Sequence, residues 1–175
     1  YDDRDVDDLE YHSLEDTMVT TDWIAKTLRA HLNARCIVDV LNIGAGVVDR
    51  LREQRFVIEA FGAGERSDET DKSGELSFVN KRSAAWWRVR ELLEPSSGAN
   101  VSLPDDARLM GDLTTPKWGV TSSGRIAVEH KEYIKKRLGR STDAGDSVVM
   151  AFWDEGDVEA AGGMTQARQY RIGDD

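Results

Sequence analysis

Apolar positions recur along this chain at two alternating spacings, one typical of helices and the other of strands. A threonine cap at position 20 or 21, followed by apolar residues three and four apart, predicts a helix that ends near Leu32. Short β-branched runs over 36–41 and 56–61 predict two buried strands, and the segment 47–54 between them predicts a helix. Because a strand–helix–strand unit with short links is typical of a parallel sheet, the pattern predicts an α/β fold.

The second half of the chain predicts more helices and a hairpin. Asn80 is the expected cap of a helix over 81–94, and a helix over 104–113 opens on a proline, which suits the first helical turn. A hairpin is predicted around 122–124, with its second strand over 125–129. These elements add an antiparallel pair to the parallel unit, so we expect a mixed sheet flanked by helices.

Apolar positions are less periodic at the two ends of the chain than in its middle. Residues 1–18 predict only a short strand around 9–13. After position 154 the chain carries glycine and charge with little periodicity, which is typical of a disordered end. We therefore expect one folded domain over 1–154 and a disordered acidic tail over 155–175.

Three aspartates are candidates for a metal site. Asp39 lies within an apolar strand, where an unpaired charge is costly, and strands of α/β sheets present functional groups at their carboxyl ends. Asp143 and Asp146 are three residues apart on a predicted helix and therefore share a face, with apolar residues on the opposite one. The alternatives are a satisfied buried carboxylate at Asp39 and helix capping by the pair.

Five basic residues stand directly before the aspartate pair, and paired carboxylates beside positive charge suit a site that holds divalent metal and phosphates. They are Lys131, Lys135, Lys136, Arg137 and Arg140. Such a cluster would hold backbone phosphates without distinguishing sequence. A solvated helix face is the alternative interpretation.

The turn over 42–46 supports a different class of function. Its two glycines follow a predicted strand and precede a helix, as in dinucleotide-binding domains, but Asp49 stands where a third small residue belongs. A Rossmann-like nucleotide-binding domain is therefore the alternative to a metal site. In the other interpretation, the glycines permit a tight turn from strand to helix.

The composition of the chain limits the classes of function that remain. The net charge of −10 disfavours a general electrostatic nucleic-acid binder, so any attraction to DNA must be local to the basic cluster. No apolar stretch reaches the roughly 18–20 residues of a membrane span. The single cysteine, Cys36, excludes an internal disulfide and a cysteine-based zinc site, and it fits a reducing compartment. We expect a cytoplasmic protein without membrane contact.

Three segments together resemble one known family. They are 39–53 (DVLNIGAGVVDRLRE), 78–94 (FVNKRSAAWWRVRELLE) and 126–152 (IAVEHKEYIKKRLGRSTDAGDSVVMAF). In this order, within a match from about 17 to 152, they resemble the C-terminal nuclease domain of the large terminase subunit of tailed bacteriophages and prophages. The resemblance implies an RNase H-like fold and a metal-dependent endonuclease that cuts concatemeric double-stranded viral DNA during packaging.

The resemblance also implies a set of site residues. Asp39 matches the acidic residue on the family's central strand. Asp143 and Asp146 match the aspartates of its S-P-D-x-x-D-A motif, in which this chain has Thr142 and Ser147 instead of proline and alanine. The three aspartates would be catalytic and would hold two Mg²⁺ or Mn²⁺ ions. Lys131 matches the family's E-x-K element together with the glutamate two residues before it.

One feature of the family has no counterpart here. Its first catalytic aspartate lies on an opening strand, and nothing before Thr17 fits that pattern. We expect this strand to lie upstream of Tyr1; the alternative is that Asp2 or Asp3 remains from the loop that follows it. A non-catalytic terminase remnant that contacts partner subunits is then a further alternative.

The resemblance implies partners as well. No ATP-binding loop of the G-x-x-x-x-G-K-[ST] kind occurs in the chain, so a packaging motor would reside on an N-terminal ATPase region. Double-stranded DNA, the small terminase subunit and the portal are the other expected partners. The expected location is the cytoplasm of a bacterial host, with the protein encoded by a phage or prophage.

Overall fold

The computed structural model describes residues 3–13 and 16–154. Strands and helices alternate over 3–114, and two strands followed by two helices complete the order; the strands at Asp3–Asp5 and Asn100–Ser102 were not predicted. In order, they are β1 (Asp3–Asp5), α1 (Thr17–Ala30), β2 (Ile37–Asp39), α2 (Gly44–Glu53), β3 (Glu59–Phe61), α3 (Lys81–Leu92), β4 (Asn100–Ser102), α4 (Ala107–Thr114), β5 (Trp118–Val120), β6 (Ile126–Val128), α5 (Lys131–Leu138) and α6 (Asp143–Ala151), with a 3₁₀ turn at Pro95–Ser97.

The strands pair in both directions, which confirms the mixed α/β class. β2 and β3 are parallel, with Asp39 opposite Phe61, and they enclose α2 as the predicted strand–helix–strand unit. β1 and β4 are parallel, and β5 and β6 form the predicted antiparallel hairpin. The described strands make three pairs rather than one continuous sheet. A parallel bridge between Phe78 and Ile126 extends the hairpin pair.

Helix α1 begins before the predicted threonine cap, because Asp16 is its N-cap. The Asp16 side chain accepts hydrogen bonds from two first-turn amides at 2.6 and 3.2 Å. Thr21 lies one turn inside the helix and donates to the Thr17 carbonyl at 2.7 Å. The helix ends at Ala30, two residues before the predicted end, and leaves Leu32 exposed.

Helices α1 and α2 enclose the first core cluster against β2. Its fully buried members are Ala25, Val47, Val48, Leu51 and Ile58. Cys36 packs at the edge of this cluster, and burial raises the pKa of its thiol above the ordinary value. The cysteine is therefore a packing residue, as the apolar run around it predicts.

The turn between β2 and α2 brings a helix against the end of a strand. Asn42 turns the chain with a φ of +54°, and α2 begins at Gly44, earlier than predicted. A Cβ on Gly44 would lie 1.7 Å from the backbone oxygen of Asp39, so only glycine permits this approach. The turn fixes the end of β2 and therefore the position of Asp39.

Helix α3 lies in the largest core cluster and is buried on most of its surface. Asn80 caps it, as predicted, by accepting from the Ser83 amide at 2.9 Å. Leu93 follows the helix and is exposed, whereas Trp86 and Trp87 are both buried. The cluster joins α3 to β3, β6 and α6 through Phe61, Phe78, Ile126, Val149 and Trp153.

Helix α4 packs on α6, and this contact also holds the N-terminal segment. Asp106 caps α4 by accepting from the Leu109 amide at 2.7 Å. Leu109 is buried with Ala144 and Val148 of α6, and Val6 and Leu9 pack against the same cluster. The strand predicted around 9–13 was wrong, because the chain forms its N-terminal strand at β1 and pairs it with β4.

The tail predicted over 155–175 lies outside the described residues. Among the residues that the structure describes, no helix is long and apolar enough to cross a membrane.

Candidate active site

Asp39 and Asp146 meet across a narrow cleft through a shared lysine. Asp39 is the last residue of β2, and its side chain accepts from the Leu41 amide at 3.0 Å. Asp146 lies in the first turn of α6. The Nζ atom of Lys131, the first residue of α5, lies 3.5 Å from Asp39 Oδ2 and 3.2 Å from Asp146 Oδ2. Residues far apart in sequence therefore form one charged group, here called the Asp39–Asp146 cleft.

The Asp146 carboxylate is half-buried and fixed by side chains on both of its oxygens. The Trp86 indole donates to Asp146 Oδ1 at 3.1 Å, and the Thr142 hydroxyl donates to Asp146 Oδ2 at 2.9 Å. Only 12% of the Asp146 side chain is exposed, compared with 24% for Asp39. Asp146 is thus held as a half-buried acceptor, and Lys131 supplies its counter-charge.

Arg82 is a second cation of the cleft, and the sequence pattern does not single it out. Its side chain is 9% exposed, and its Nε atom lies 3.7 Å from Asp146 Oδ1. Nη1 donates to the Glu129 carbonyl at 2.8 Å, and the guanidinium lies 5.4 Å from the centre of the Trp86 ring. Burial lowers the pKa of Arg82, and the carboxylates of Asp146, Glu129 and Asp39 oppose that shift.

Asp143 faces different surroundings. Its carboxylate accepts from the Ser141 hydroxyl at 2.5 Å and lies 3.6 Å from the Arg108 guanidinium. The side chain is 67% exposed and borders a separate, wide pocket of α1, α6 and the N-terminal segment that includes His12 and Trp23. The structure therefore brings Asp39 and Asp146 to one lysine and pairs Asp143 with an arginine of α4.

The five basic residues of this segment differ in their partners. Arg137 donates to both carboxylate oxygens of Glu129 at 2.6 and 2.7 Å, which holds the pKa of Glu129 at about 2. Arg140 pairs with Asp112 and also donates to the Ser141 carbonyl at 3.0 Å. These two arginines join elements of the fold, whereas the exposed Lys135 and Lys136 of α5 pair with no carboxylate of the described residues.

Of these two lysines, Lys136 contacts another side chain within the described residues, that of Tyr133. Its Nζ atom lies 5.8 Å from the centre of the Tyr133 ring, and both side chains are on the solvent side of α5. Of the five predicted phosphate-binding residues, Lys131, Lys135 and Lys136 therefore keep an ammonium that is at least partly open to solvent.

The carboxylates fit part of a metal site. Carboxylate oxygens suit Mg²⁺ and Mn²⁺, and the Lys131 ammonium shows that the space between Asp39 and Asp146 accepts positive charge. Within residues 3–13 and 16–154, no three acidic, histidine or cysteine side chains group closely enough to hold a metal ion. The pair therefore fits one cation, and the three-aspartate set for two ions is not assembled.

Asp112 was missed by sequence reasoning and lies beneath the aspartate pair. It is fully buried, pairs with Arg140, and accepts from the Gly145 amide at 3.1 Å. A Cβ on Gly145 would lie 2.9 Å from the Asp112 Cβ and 3.0 Å from the Trp86 ring. The glycine between the two aspartates therefore permits close packing of α6 on α3 and α4. A charged residue on the apolar side of a short helix was the available signal.

Comparison with solved structures identifies the fold. This α/β arrangement of small sheets flanked by helices is RNase H-like, the fold class of a group of nuclease domains. The chain is similar to the nuclease domain of the large terminase subunit gp2 of bacterial virus Sf6, in a lysine-to-alanine variant with manganese and beta-thujaplicinol. The TM-score is 0.65 at 18% identity, over 83% of this chain and 76% of that chain.

Two further structures of the same viral protein support this fold. The variant with calcium has a TM-score of 0.59 at 17% identity, over 74% of this chain and 69% of that chain. The nuclease domain without a named additive has a TM-score of 0.59 at 18% identity, over the same shares. No protein-family profile matches the chain, and no curated protein sequence matches it. The structures thus confirm the RNase H-like fold that the sequence resemblance implies.

Proposed function

We propose that this chain is the nuclease domain of a terminase large subunit and hydrolyses phosphodiester bonds of concatemeric double-stranded DNA. The observation that carries the proposal is the Asp39–Asp146 cleft, in which two carboxylates from separate elements share Lys131. Its setting in an RNase H-like fold similar to viral terminase nuclease domains supports the same activity. The Rossmann-like alternative loses its main support, since Gly44 serves the close approach of α2 to Asp39.

In this proposal, Asp39 and Asp146 hold a divalent cation, Mg²⁺ or Mn²⁺. Such an ion, when bound, activates water or stabilises the leaving oxygen of a phosphodiester. The similar viral domain was solved with manganese and with calcium, which supports a divalent cation. In the two-ion form of the proposal, Asp143 breaks its ion pair with Arg108 and becomes a ligand of the second ion.

The chain's own cations act on the charge of the DNA. Lys131 lies between the carboxylates and is placed to donate to a phosphate oxygen once its hold on Asp39 or Asp146 is released. Lys135 and Lys136 lie on the same helix and would attract backbone phosphates from the surface. Replacing both with alanine should weaken binding to all duplexes alike and reduce the salt slope by about two phosphate contacts.

The same proposal places the chain in a packaging machine. An N-terminal ATPase region, the small terminase subunit and the portal would be its partners, in a bacterial host that carries the phage or prophage. The competing proposal of a non-catalytic remnant predicts the same fold without cleavage.

The direct test is Mn²⁺-dependent conversion of supercoiled plasmid to linear DNA, measured for the wild type and for Asp39→Asn and Asp146→Asn. We expect cleavage by the wild type and loss of cleavage in both variants, because each loses an anionic ligand. Asp49→Asn, at an exposed position on α2, is the matched control and should cleave as the wild type does. Cleavage that persists in both variants, or a wild type that binds DNA without cutting it, would contradict the proposal.

A further inference from the structure

Arg82 has two buried donors that no described residue satisfies. Its Nε and Nη2 atoms are inaccessible to solvent and have no hydrogen-bond partner in the described part of the chain. Both lie on the edge of the guanidinium opposite the anchored Nη1 atom. Buried donors without partners are rare in folded proteins and call for an acceptor nearby. One acceptor beside this edge is Asp146 Oδ1, 3.7 Å from Nε.

Arg35 of the same chain uses the Nε–Nη2 edge of its guanidinium to bind a carboxylate in a bidentate arrangement. Arg35 donates from Nε and Nη2 to the two oxygens of Glu59, both at 2.9 Å. For Arg82, Nε would have to approach Asp146 by about 0.8 Å to change 3.7 Å into a charge-assisted hydrogen bond of about 2.9 Å. The guanidinium itself is held in place by the Glu129 carbonyl and the Trp86 ring.

The two cations of the cleft differ in how firmly they are held. Lys131 has a flexible side chain that is 36% exposed, and it contacts Asp146 through Oδ2. Arg82 is buried, is anchored at a backbone carbonyl, and faces Oδ1. A cation that enters the cleft competes with Lys131 for the carboxylates, whereas a phosphate competes with the carboxylates for Lys131. Neither has to displace the anchored Arg82.

We infer that Arg82 is the positioning residue of Asp146: it keeps this carboxylate oriented toward Asp39 when Lys131 is displaced. The inference rests on the proposed function, since it concerns the carboxylate that would hold the cation. It assigns the two positive charges different roles, with Arg82 as the permanent counter-charge and Lys131 as the exchangeable one.

The inference predicts an effect opposite in sign to that of simple electrostatics. If Arg82 were only a nearby positive charge, its removal would tighten the binding of a divalent cation. If it positions Asp146, its removal weakens that binding, as loss of a residue that orients a ligand usually does by about 10-fold or more. The direction of the change in Kd therefore separates the two roles.

The experiment measures Mn²⁺ affinity by calorimetry for the wild type, Arg82→Gln and Arg82→Lys. The glutamine removes the charge, whereas the lysine keeps the charge and loses the planar edge. We expect Kd to rise about 10-fold in both variants. Arg35→Lys is the matched control, because it removes the same donor edge from an arginine outside the cleft, and its Kd should not change. Equal or tighter binding in both Arg82 variants would overturn the inference.

A second readout needs no metal and guards against a misfolded variant. In the metal-free protein, hydrogen exchange of the Trp86 indole reports whether Asp146 still accepts its hydrogen bond. The Trp87 indole, which donates to Glu91 at 2.7 Å on the same helix, is the internal reference. We expect Arg82→Lys to accelerate exchange at Trp86 only. Equal acceleration at both indoles would mean general loosening, and no acceleration would mean that Arg82 does not position Asp146.

The two readouts also separate this inference from the proposed function. A wild type that does not bind Mn²⁺ removes the support for a metal-dependent nuclease. The exchange of the Trp86 indole in Arg82→Lys then still decides whether Arg82 positions Asp146.

Discussion

Helix α6 places two aspartates three residues apart in two different environments. Asp146 is 12% exposed and is surrounded by Trp86, Thr142, Lys131 and Arg82. Asp143 is 67% exposed and contacts an arginine and a serine. The two residues share a helical sequence pattern, yet only Asp146 joins a partly buried group of charges.

The difference follows from what packs against each side of the helix. α3 covers the side of Asp146 and brings an indole donor and a buried guanidinium, while α5 brings an ammonium. The side of Asp143 meets α4 and an open pocket. A carboxylate that several donors hold in a partly buried position can bind a cation with little reorganisation. An exposed carboxylate at the start of a helix mainly stabilises the helix N-terminus.

The largest effect is expected from removing Asp112, which contacts α6 at Gly145, between the two aspartates. Asp112→Ala deletes the buried carboxylate that pairs with Arg140 and accepts from the Gly145 amide. We expect the free energy of unfolding to fall by about 3 kcal/mol, since the buried Gly145 amide and the partly buried Arg140 guanidinium both lose their acceptor. Urea denaturation measures it, with Asp22→Ala on the exposed face of α1 as the control. A loss below about 1 kcal/mol would mean that α6 does not depend on this pair.

The second prediction compares the aspartates directly. Asp146→Asn should reduce Mn²⁺-dependent DNA cleavage by about 100-fold, which corresponds to roughly 3 kcal/mol of transition-state stabilisation. Asp143→Asn should reduce cleavage by less than about threefold if one cation suffices. Initial rates of plasmid cleavage measure both. Equal losses would show that the two-ion set, with Asp143 as a ligand, is the active form.

The third prediction uses the glycine between the aspartates. Gly145→Ala places a methyl group against Asp112 and the Trp86 ring, and overpacking of this kind costs about 1–3 kcal/mol. Thermal unfolding should show the loss. Cleavage should fall too, because Trp86 holds Asp146. Gly64→Ala is the matched control, since a Cβ there meets nothing within 4 Å. A stable and fully active Gly145→Ala variant would argue against tight packing beneath the cleft.

The smallest effect is expected on the exposed side. Arg108→Ala removes the ion pair with Asp143 and the contact of the guanidinium with the Tyr11 ring at 4.5 Å. Exposed pairs of this kind contribute about 0–1 kcal/mol, so stability should change by no more than that. Chemical denaturation at low and high salt measures it. A loss above about 2 kcal/mol would place Asp143 in a structural network as firm as that of Asp146.

The sequence by itself determined the alternation of elements and the position of Asp39 at a strand end. Local spacing is enough for this, because periods of 2 and 3.6 decide which residues can be buried, and Asn80 caps its helix through a neighbour three residues away. It also placed Asp143 and Asp146 at the start of one helix. The resemblance of three segments to terminase nucleases predicted the RNase H-like fold that solved structures confirm.

Only the tertiary structure decided which charges meet. Nothing in local spacing shows that Arg137 and Arg140 are taken by Glu129 and Asp112, or that Arg82 lies beside Asp146 from 64 positions earlier in the chain. The energy of a charge depends on its burial and on its partners, and both come from elements distant in sequence. The sequence therefore identified the candidate carboxylates, whereas the packing of α3 and α5 against α6 determined that Asp146 lies near Asp39.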